Sequence, residues 1–152
     1  MKSIRKIKTI LSDIEAGEGM YAKLNEADIP MITQLMHKAE PWLAARCIYA
    51  LSRIGGEEAN ATIMEAAADL RQEVRLAVAN ASSVLPDTVS NVVLDSLIED
   101  GDIGVRKFAI KSISNAADTR LIEKLHVLSQ DSTNEVLKKI AEDKLLSIER
   151  EF

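Results

Sequence analysis

The sequence predicts an all-α fold: a right-handed α-solenoid, or α-α superhelix, of about four helical hairpins with an N-terminal capping helix. Three observations predict it. A 31-residue pattern repeats along the chain, the aliphatic residues within each repeat have helical spacing, and the composition favours helices. Aromatic residues make up only 3% of the 152 residues, which include only three prolines and six glycines. Such a composition suits helices better than sheets.

The repeat is most visible in two stretches, "DLRQEVRLAVANAS" from Asp69 and "DGDIGVRKFAIKSI" from Asp100. In each, an aspartate is followed five residues later by Val-Arg. Steps of 31 residues from these valines reach an aliphatic residue each time, at Leu43, Val74, Val105 and Val136. We expect these positions to face the core, because a fixed period of this length is typical of stacked helical repeats.

Each repeat is predicted to contain two helices. Aliphatic residues at helical spacing mark the first helix, and the second helices are expected to begin near Pro41, Gln72, Asp102 and Thr133. Neither helix can bury its apolar stripe alone, so neighbouring hairpins stack into one continuous core. We predict a single domain over 1–152, with a cap at 1–26 and repeat units at 27–55, 56–86, 87–117 and 118–152.

The two ends differ in pattern. A single narrow stripe in the N-terminal segment predicts a helix that covers the first repeat, through Ile4, Ile7, Leu11 and Ile14. In the last helix, apolar residues spread over roughly half of the circumference. This width allows two interpretations. Either the helix fills the open end of the solenoid, or the chain forms a homodimer through an exposed apolar edge of Leu137, Leu145, Ile148 and Phe152.

The stretch "PWLAARCIYALSRIGG" and the two Val-Arg stretches resemble HEAT repeats of the bacterial type first noted in phycobilin lyases. The resemblance covers about residues 28 to 148. It implies a hydrogen-bonded ladder between adjacent repeats, made by an aspartate and the arginine six residues later, here Asp69 with Arg75 and Asp100 with Arg106. These residues are therefore expected to be structural. The first and last units lack the arginine, so we expect the ladder in the middle only.

The second helices are expected to line the concave surface, which such solenoids use for binding. Positions that point away from the core there are candidate partner-binding residues: Tyr49, Arg53, Asn80, Lys107, Lys111, Asn115 and Lys138. The lysines make one end of this strip basic. Two interpretations stay open: a groove that receives an acidic protein segment, or ordinary solvated lysines.

The sequence contains no glycine-rich phosphate loop, nucleophile elbow or cofactor fingerprint, so we predict no catalytic residue and no cofactor. One cysteine and two histidines give no metal-ligand cluster, so no metal is predicted either. A net charge of −5 makes a nucleic-acid partner unfavourable. No apolar run approaches transmembrane length and no signal-peptide pattern is present, so a cytoplasmic protein without membrane contact is expected.

These observations favour a non-catalytic adaptor or scaffold that binds another protein. The resemblance implies one alternative, a bilin lyase-like subunit that handles a chromophore. A third hypothesis is binding of a nucleic-acid backbone through the lysines of the C-terminal half.

Overall fold

The computed structural model describes residues 1–131 and 133–150, and every regular element in these ranges is a helix. The predicted all-α fold is therefore confirmed. The helices are α1 (Ile4–Leu11), α2 (Glu18–Tyr21), α3 (Ile29–Lys38), α4 (Pro41–Ile54), α5 (Glu57–Ala66), α6 (Gln72–Ala81), α7 (Asp87–Leu97), α8 (Ile103–Ser112), α9 (Thr119–Gln130) and α10 (Glu135–Glu149). Short 3-10 turns lie at Glu26–Asp28 and Ser82–Val84.

Four antiparallel hairpins, α3–α4, α5–α6, α7–α8 and α9–α10, stack side by side in chain order. The second helices contact one another more extensively than the first helices do. Small buried side chains such as Ala44, Cys47, Ala77 and Ala79 permit this closer approach. The second helices α4, α6, α8 and α10 therefore form one closely packed layer.

Local signals fix where the helices begin and end. Side chains of Ser3, Asp102, Asp118 and Asn134 each accept a backbone N–H in the first turn of the following helix. Gly55 and Gly56 follow α4 with φ values of 74° and 92°, which a residue with a Cβ rarely adopts. This pair lets the chain reverse from α4 into α5.

Helix α1 covers the first repeat, as the apolar stripe predicts. It packs against α3 and α4 and buries Ile7 and Leu11 completely. The stripe prediction is wrong at Ile14, which is 96% exposed because the helix ends at Leu11. Arg46 on α4 donates hydrogen bonds to the carbonyl oxygens of Leu11 and Asp13, at 2.7 and 2.6 Å. These bonds satisfy backbone acceptors at and beyond the end of α1.

A buried carboxylate joins the start of the chain to the first repeat. The fully buried Asp28 accepts hydrogen bonds from the Lys2 backbone N–H at 2.7 Å, Lys2 Nζ at 2.9 Å and the Asn25 N–H at 3.0 Å. Burial raises the pKa of Asp28, but these bonds outweigh burial and hold the pKa at about 2. The carboxylate is thus charged at neutral pH and stabilises the capping segment.

The last repeat departs from the 31-residue register. Val136, predicted to face the core, is 59% exposed, whereas its neighbour Leu137 is 2% exposed. The helix-capping residues Asp102 and Asn134 are 32 residues apart, so one residue is added in the turn before α10. Because a one-residue shift rotates a helix by about 100°, a different face of α10 points to the core.

This rotation contradicts the predicted self-association edge. Leu137, Leu145 and Ile148 are buried within the chain, and Phe152 lies outside the described residues. On the described part of α10, the large apolar side chains that remain exposed are Val136 and Leu146, about 15 Å apart along the helix axis. The apolar residues of α10 therefore fill the end of the solenoid, and this set offers no contiguous surface for a second copy.

Cys47 lies at the centre of α4 and is fully buried. Burial raises the pKa of its thiol to about 12, so the nucleophilic thiolate is scarce at neutral pH. We expect Cys47 to react with an aromatic disulfide reagent only when the protein unfolds. The reaction rate should rise with urea along the unfolding curve measured by circular dichroism. Rapid labelling of the fully folded protein would contradict this burial.

No helix among the described residues is long and apolar enough to span a membrane.

Candidate protein-binding surface on the second helices

The recurring aspartate shapes the turn before each second helix. Asp69, Asp100 and Asp131 each accept, through Oδ1, the backbone N–H of the residue two positions later. The distance is 2.9 Å in all three repeats. An aspartate that bonds to its own backbone two residues on is a frequent turn-forming device. The repeated aspartate therefore has a structural role in each turn.

One arginine crosses from its own repeat to the next. Arg75 Nε and Nη2 donate to the Asp100 carboxylate at 2.8 and 3.2 Å, and Arg75 Nη1 donates to the Asp69 backbone carbonyl at 2.8 Å. Burial raises the pKa of Asp100, but the bonds from Arg75 and the Asp102 N–H outweigh it and lower the pKa. The pairing differs from the expected one, because Arg75 binds the carboxylate of the following repeat and not that of Asp69.

The junctions on either side use other contacts. Arg71 donates to the Asp69 carboxylate and lowers its pKa, and it also bonds to the carbonyl oxygens of Ala39 and Met36 in the first repeat at 2.9 and 3.1 Å. Sequence reasoning missed Arg71. The ladder pattern places the arginine of this junction at position 44, where the chain has Ala44, and gives no indication that Arg71 makes the contact instead. At the other junction, Arg106 Nε is buried without a hydrogen-bond partner in the described part of the chain.

The second-helix strip begins at Tyr49 on α4 and Asn80 on α6, both half-buried. Asn80 Nδ2 donates to the Tyr49 hydroxyl at 3.3 Å, although the residues are 31 apart in sequence. Equivalent positions of adjacent repeats therefore lie side by side on this face. The next equivalent position on α8 is Lys111, which extends the row across three repeats.

Two lysines of the strip, Lys107 and Lys111, have no acidic partner among residues 1–131 and 133–150. Lys107 is half-buried, and Lys111 is exposed, with its ammonium 5.9 Å from the centre of the Phe108 ring. Lys138, the third lysine predicted for the strip, also has no acidic partner in these ranges, but the rotation of α10 moves it off the strip. A cation without an intramolecular partner keeps its full charge available to a ligand. This end of the strip is therefore basic, although the protein is acidic as a whole.

Two details of the predicted strip change. The rotation of α10 brings Lys139 and Asp143 to the positions assigned to Lys138 and Glu142, and these two side chains pair at 2.9 Å. Asp143 also lines a depression of about 270 Å³ together with Lys111, Ile140, Lys144 and Ser147. Asn115 is exposed in the turn after α8, which ends at Ser112, so it does not belong to a helix face.

The other end of the strip is occupied by a contact with the cap. Arg53 Nε donates to Glu18 Oε1 at 2.6 Å, Nη1 donates to the Tyr49 carbonyl at 3.3 Å, and the guanidinium lies 4.6 Å from the centre of the Tyr21 ring. Glu18, Tyr21 and Arg53 line a depression of about 300 Å³. Sequence reasoning missed Glu18 and Tyr21, since no local pattern links residues so far apart along the chain.

No group of three or more histidine, cysteine, aspartate or glutamate side chains within the described ranges is arranged to hold a metal ion.

The stacked hairpins have a HEAT/armadillo-like helical repeat fold. One similar solved structure is the complex of CpcE and CpcF of phycocyanin lyase from Nostoc sp. PCC7120, with a TM-score of 0.70 and 14% identity over 93% of this chain and 97% of that chain. Another is a designed armadillo repeat protein in complex with the peptide (KR)4, with a TM-score of 0.56 and 17% identity over 95% of this chain and 81% of that chain.

No family model matches the sequence, and no curated protein matches it. At these identities, the structural similarity establishes the fold alone.

Proposed function

We propose that the chain is a non-catalytic adaptor that binds an extended, acidic segment of another protein along its second-helix face. The observation that carries this proposal is the row that runs from the Tyr49–Asn80 pair to Lys111, beside Lys107, a second lysine without an acidic partner among the described residues. Both similar structures are complexes with a polypeptide partner, which supports the use of this fold for protein binding.

The parts of the strip have different physical roles. Tyr49 offers a large, rigid contact area, and aromatic residues of this kind often dominate binding free energies. The lysines attract carboxylates at long range and set the direction of the bound segment. A segment that combines apolar and acidic residues is therefore the partner that matches this face.

Charge reversal tests the proposal. The double variant Lys107→Glu/Lys111→Glu is expected to bind a fluorescein-labelled peptide of glutamate and leucine about tenfold more weakly than the wild type, because attraction becomes repulsion. Fluorescence anisotropy measures this affinity, and the salt dependence of binding should fall in the variant. A peptide of the same length with lysine in place of glutamate serves as the charge control.

The matched control is Lys6→Glu/Lys8→Glu, which makes the same change in net charge on the exposed side of the capping helix α1. It should bind the acidic peptide nearly as well as the wild type. An equal loss in both double variants would assign the effect to overall charge and remove the second-helix face as the site.

The similarity to the phycocyanin lyase complex motivates an alternative, a subunit that handles a chromophore. A free bilin titrated with the wild type distinguishes the two functions by its absorption spectrum. An unchanged spectrum at high protein concentration counts against the alternative. Binding of a nucleic-acid backbone through the C-terminal lysines is tested in the same way with a labelled DNA strand, and binding that disappears at moderate salt reports only nonspecific charge attraction.

A further inference from the structure

The Glu18–Arg53 ion pair joins the capping segment to the second-helix face. Arg53 lies on the second-helix face, about one turn of α4 beyond Tyr49, while Glu18 belongs to the capping segment. The Glu18 side chain is 76% exposed and the Arg53 side chain is 35% exposed. Since exposed pairs contribute little to stability, breaking this contact costs the fold little.

Arg53 is held in place independently of Glu18. Its guanidinium lies over the buried Tyr21 ring, and its Nη1 is bonded to the Tyr49 carbonyl. Among the described residues, a single hydrogen bond joins the two side chains, from Arg53 Nε to Glu18 Oε1. A fixed guanidinium binds carboxylates well, because its donors already match their geometry.

We propose that Arg53 is a carboxylate-binding site at the N-terminal end of the strip, and that Glu18 occupies this site until an acidic residue of the partner displaces it. This inference rests on the proposed function and specifies its ligand and its regulation. Glu18 then acts as an intramolecular competitor, which lowers the apparent affinity for the partner in proportion to the time it spends on Arg53.

The geometry also sets a spacing for the ligand. Arg53 is on α4 and Lys111 is on α8, two helix-to-helix steps away. Each step is about 8–10 Å, so the two cations are separated by roughly 16–20 Å. An extended segment advances about 3.3 Å per residue, so its two carboxylates should be about six positions apart.

Two labelled peptides test this spacing. Each has about twelve residues of leucine, serine and alanine with two glutamates, separated by about five neutral residues in one peptide and by a single residue in the other. The wild type should bind the widely spaced peptide more tightly, as measured by fluorescence anisotropy, because only this peptide reaches both cations. Equal affinity for the two peptides would overturn the two-cation arrangement.

Three variants test the competition. Glu18→Gln should bind the widely spaced peptide about two- to fivefold more tightly than the wild type, the scale of an exposed ion pair. Arg53→Met should bind it about fivefold more weakly, and Arg53→Lys should lie between because it keeps the charge but loses the planar fork. The control is Glu26→Gln, which makes the same charge change at an exposed glutamate of the capping segment, and we expect affinity close to that of the wild type.

The outcomes separate this inference from the proposed function. If Glu18→Gln binds no more tightly than Glu26→Gln, Glu18 is not a competitor and the inference fails. Lys107→Glu/Lys111→Glu can still weaken binding about tenfold in that case, which leaves the proposed function intact. If the wild type binds neither peptide, both fail. Because Glu18→Gln leaves Arg53 and Tyr21 unchanged, its result does not depend on whether Arg53→Met keeps the cap folded.

Discussion

Replacing Arg75 with alanine is expected to lower the free energy of unfolding by about 2–4 kcal/mol, which lies between the effects of exposed and fully buried pairs. The side chains of Arg75 and Asp100 are only 19% and 8% exposed. The variant removes three hydrogen bonds to the Asp100 carboxylate and the Asp69 carbonyl, and it leaves a largely buried carboxylate without its cation. Urea unfolding followed by circular dichroism measures the loss.

The chain provides a matched control 31 residues further on. Arg106 occupies the equivalent position, but its Nε has no hydrogen-bond partner in the described residues. Arg106→Ala should therefore cost less than about 1 kcal/mol, because the change removes no hydrogen bond of this Nε. A double-mutant cycle with Arg75→Met and Asp100→Asn should give a coupling energy of about 1–2 kcal/mol. Equal losses at Arg75 and Arg106 would show that the Arg75–Asp100 pair is not the cause.

The sequence period was sufficient to predict most of the fold. The predicted starts of the second helices lie within about two residues of the observed starts, because the apolar spacing and the turn residues indicate the same helix boundaries. The period failed in the last repeat, where fixed steps of 31 residues led to Val136 and missed the buried Leu137. A signal was present, since Asn134 can cap the helix three residues before Leu137.

The surface was harder to predict than the core. The period places Tyr49 and Asn80 at equivalent positions of adjacent repeats, and in the structure these two side chains are joined by a hydrogen bond. It did not predict the contacts of Arg53 with Glu18 and Tyr21 or those of Arg71 with the first repeat. These contacts join a repeat to a segment with a different sequence, or replace a missing ladder residue. A periodic pattern describes what repeats share and contains no information on such exceptions.

Replacing Asp28 with alanine is expected to destabilise the protein by about 2–4 kcal/mol, because the change leaves two backbone N–H groups and the Lys2 ammonium without their acceptor. The loss should appear first as detachment of the capping segment, with faster proteolysis near residues 12–17. Glu26→Ala is the control, because Glu26 is an exposed acid of the same 3-10 turn and its removal should change stability by less than about 0.5 kcal/mol.

The pH dependence gives this prediction a second, independent measurement. The folded pKa of Asp28 is about 2, below the ordinary value of about 3.9 for an unfolded chain. A carboxyl group with a lowered pKa stabilises the fold above the unfolded pKa, and this contribution disappears as the pH falls from about 4 towards 2. Asp28→Asn should therefore lose less stability than the wild type over that interval. Parallel pH profiles for the two proteins would show that the Asp28 carboxylate does not hold the cap in place.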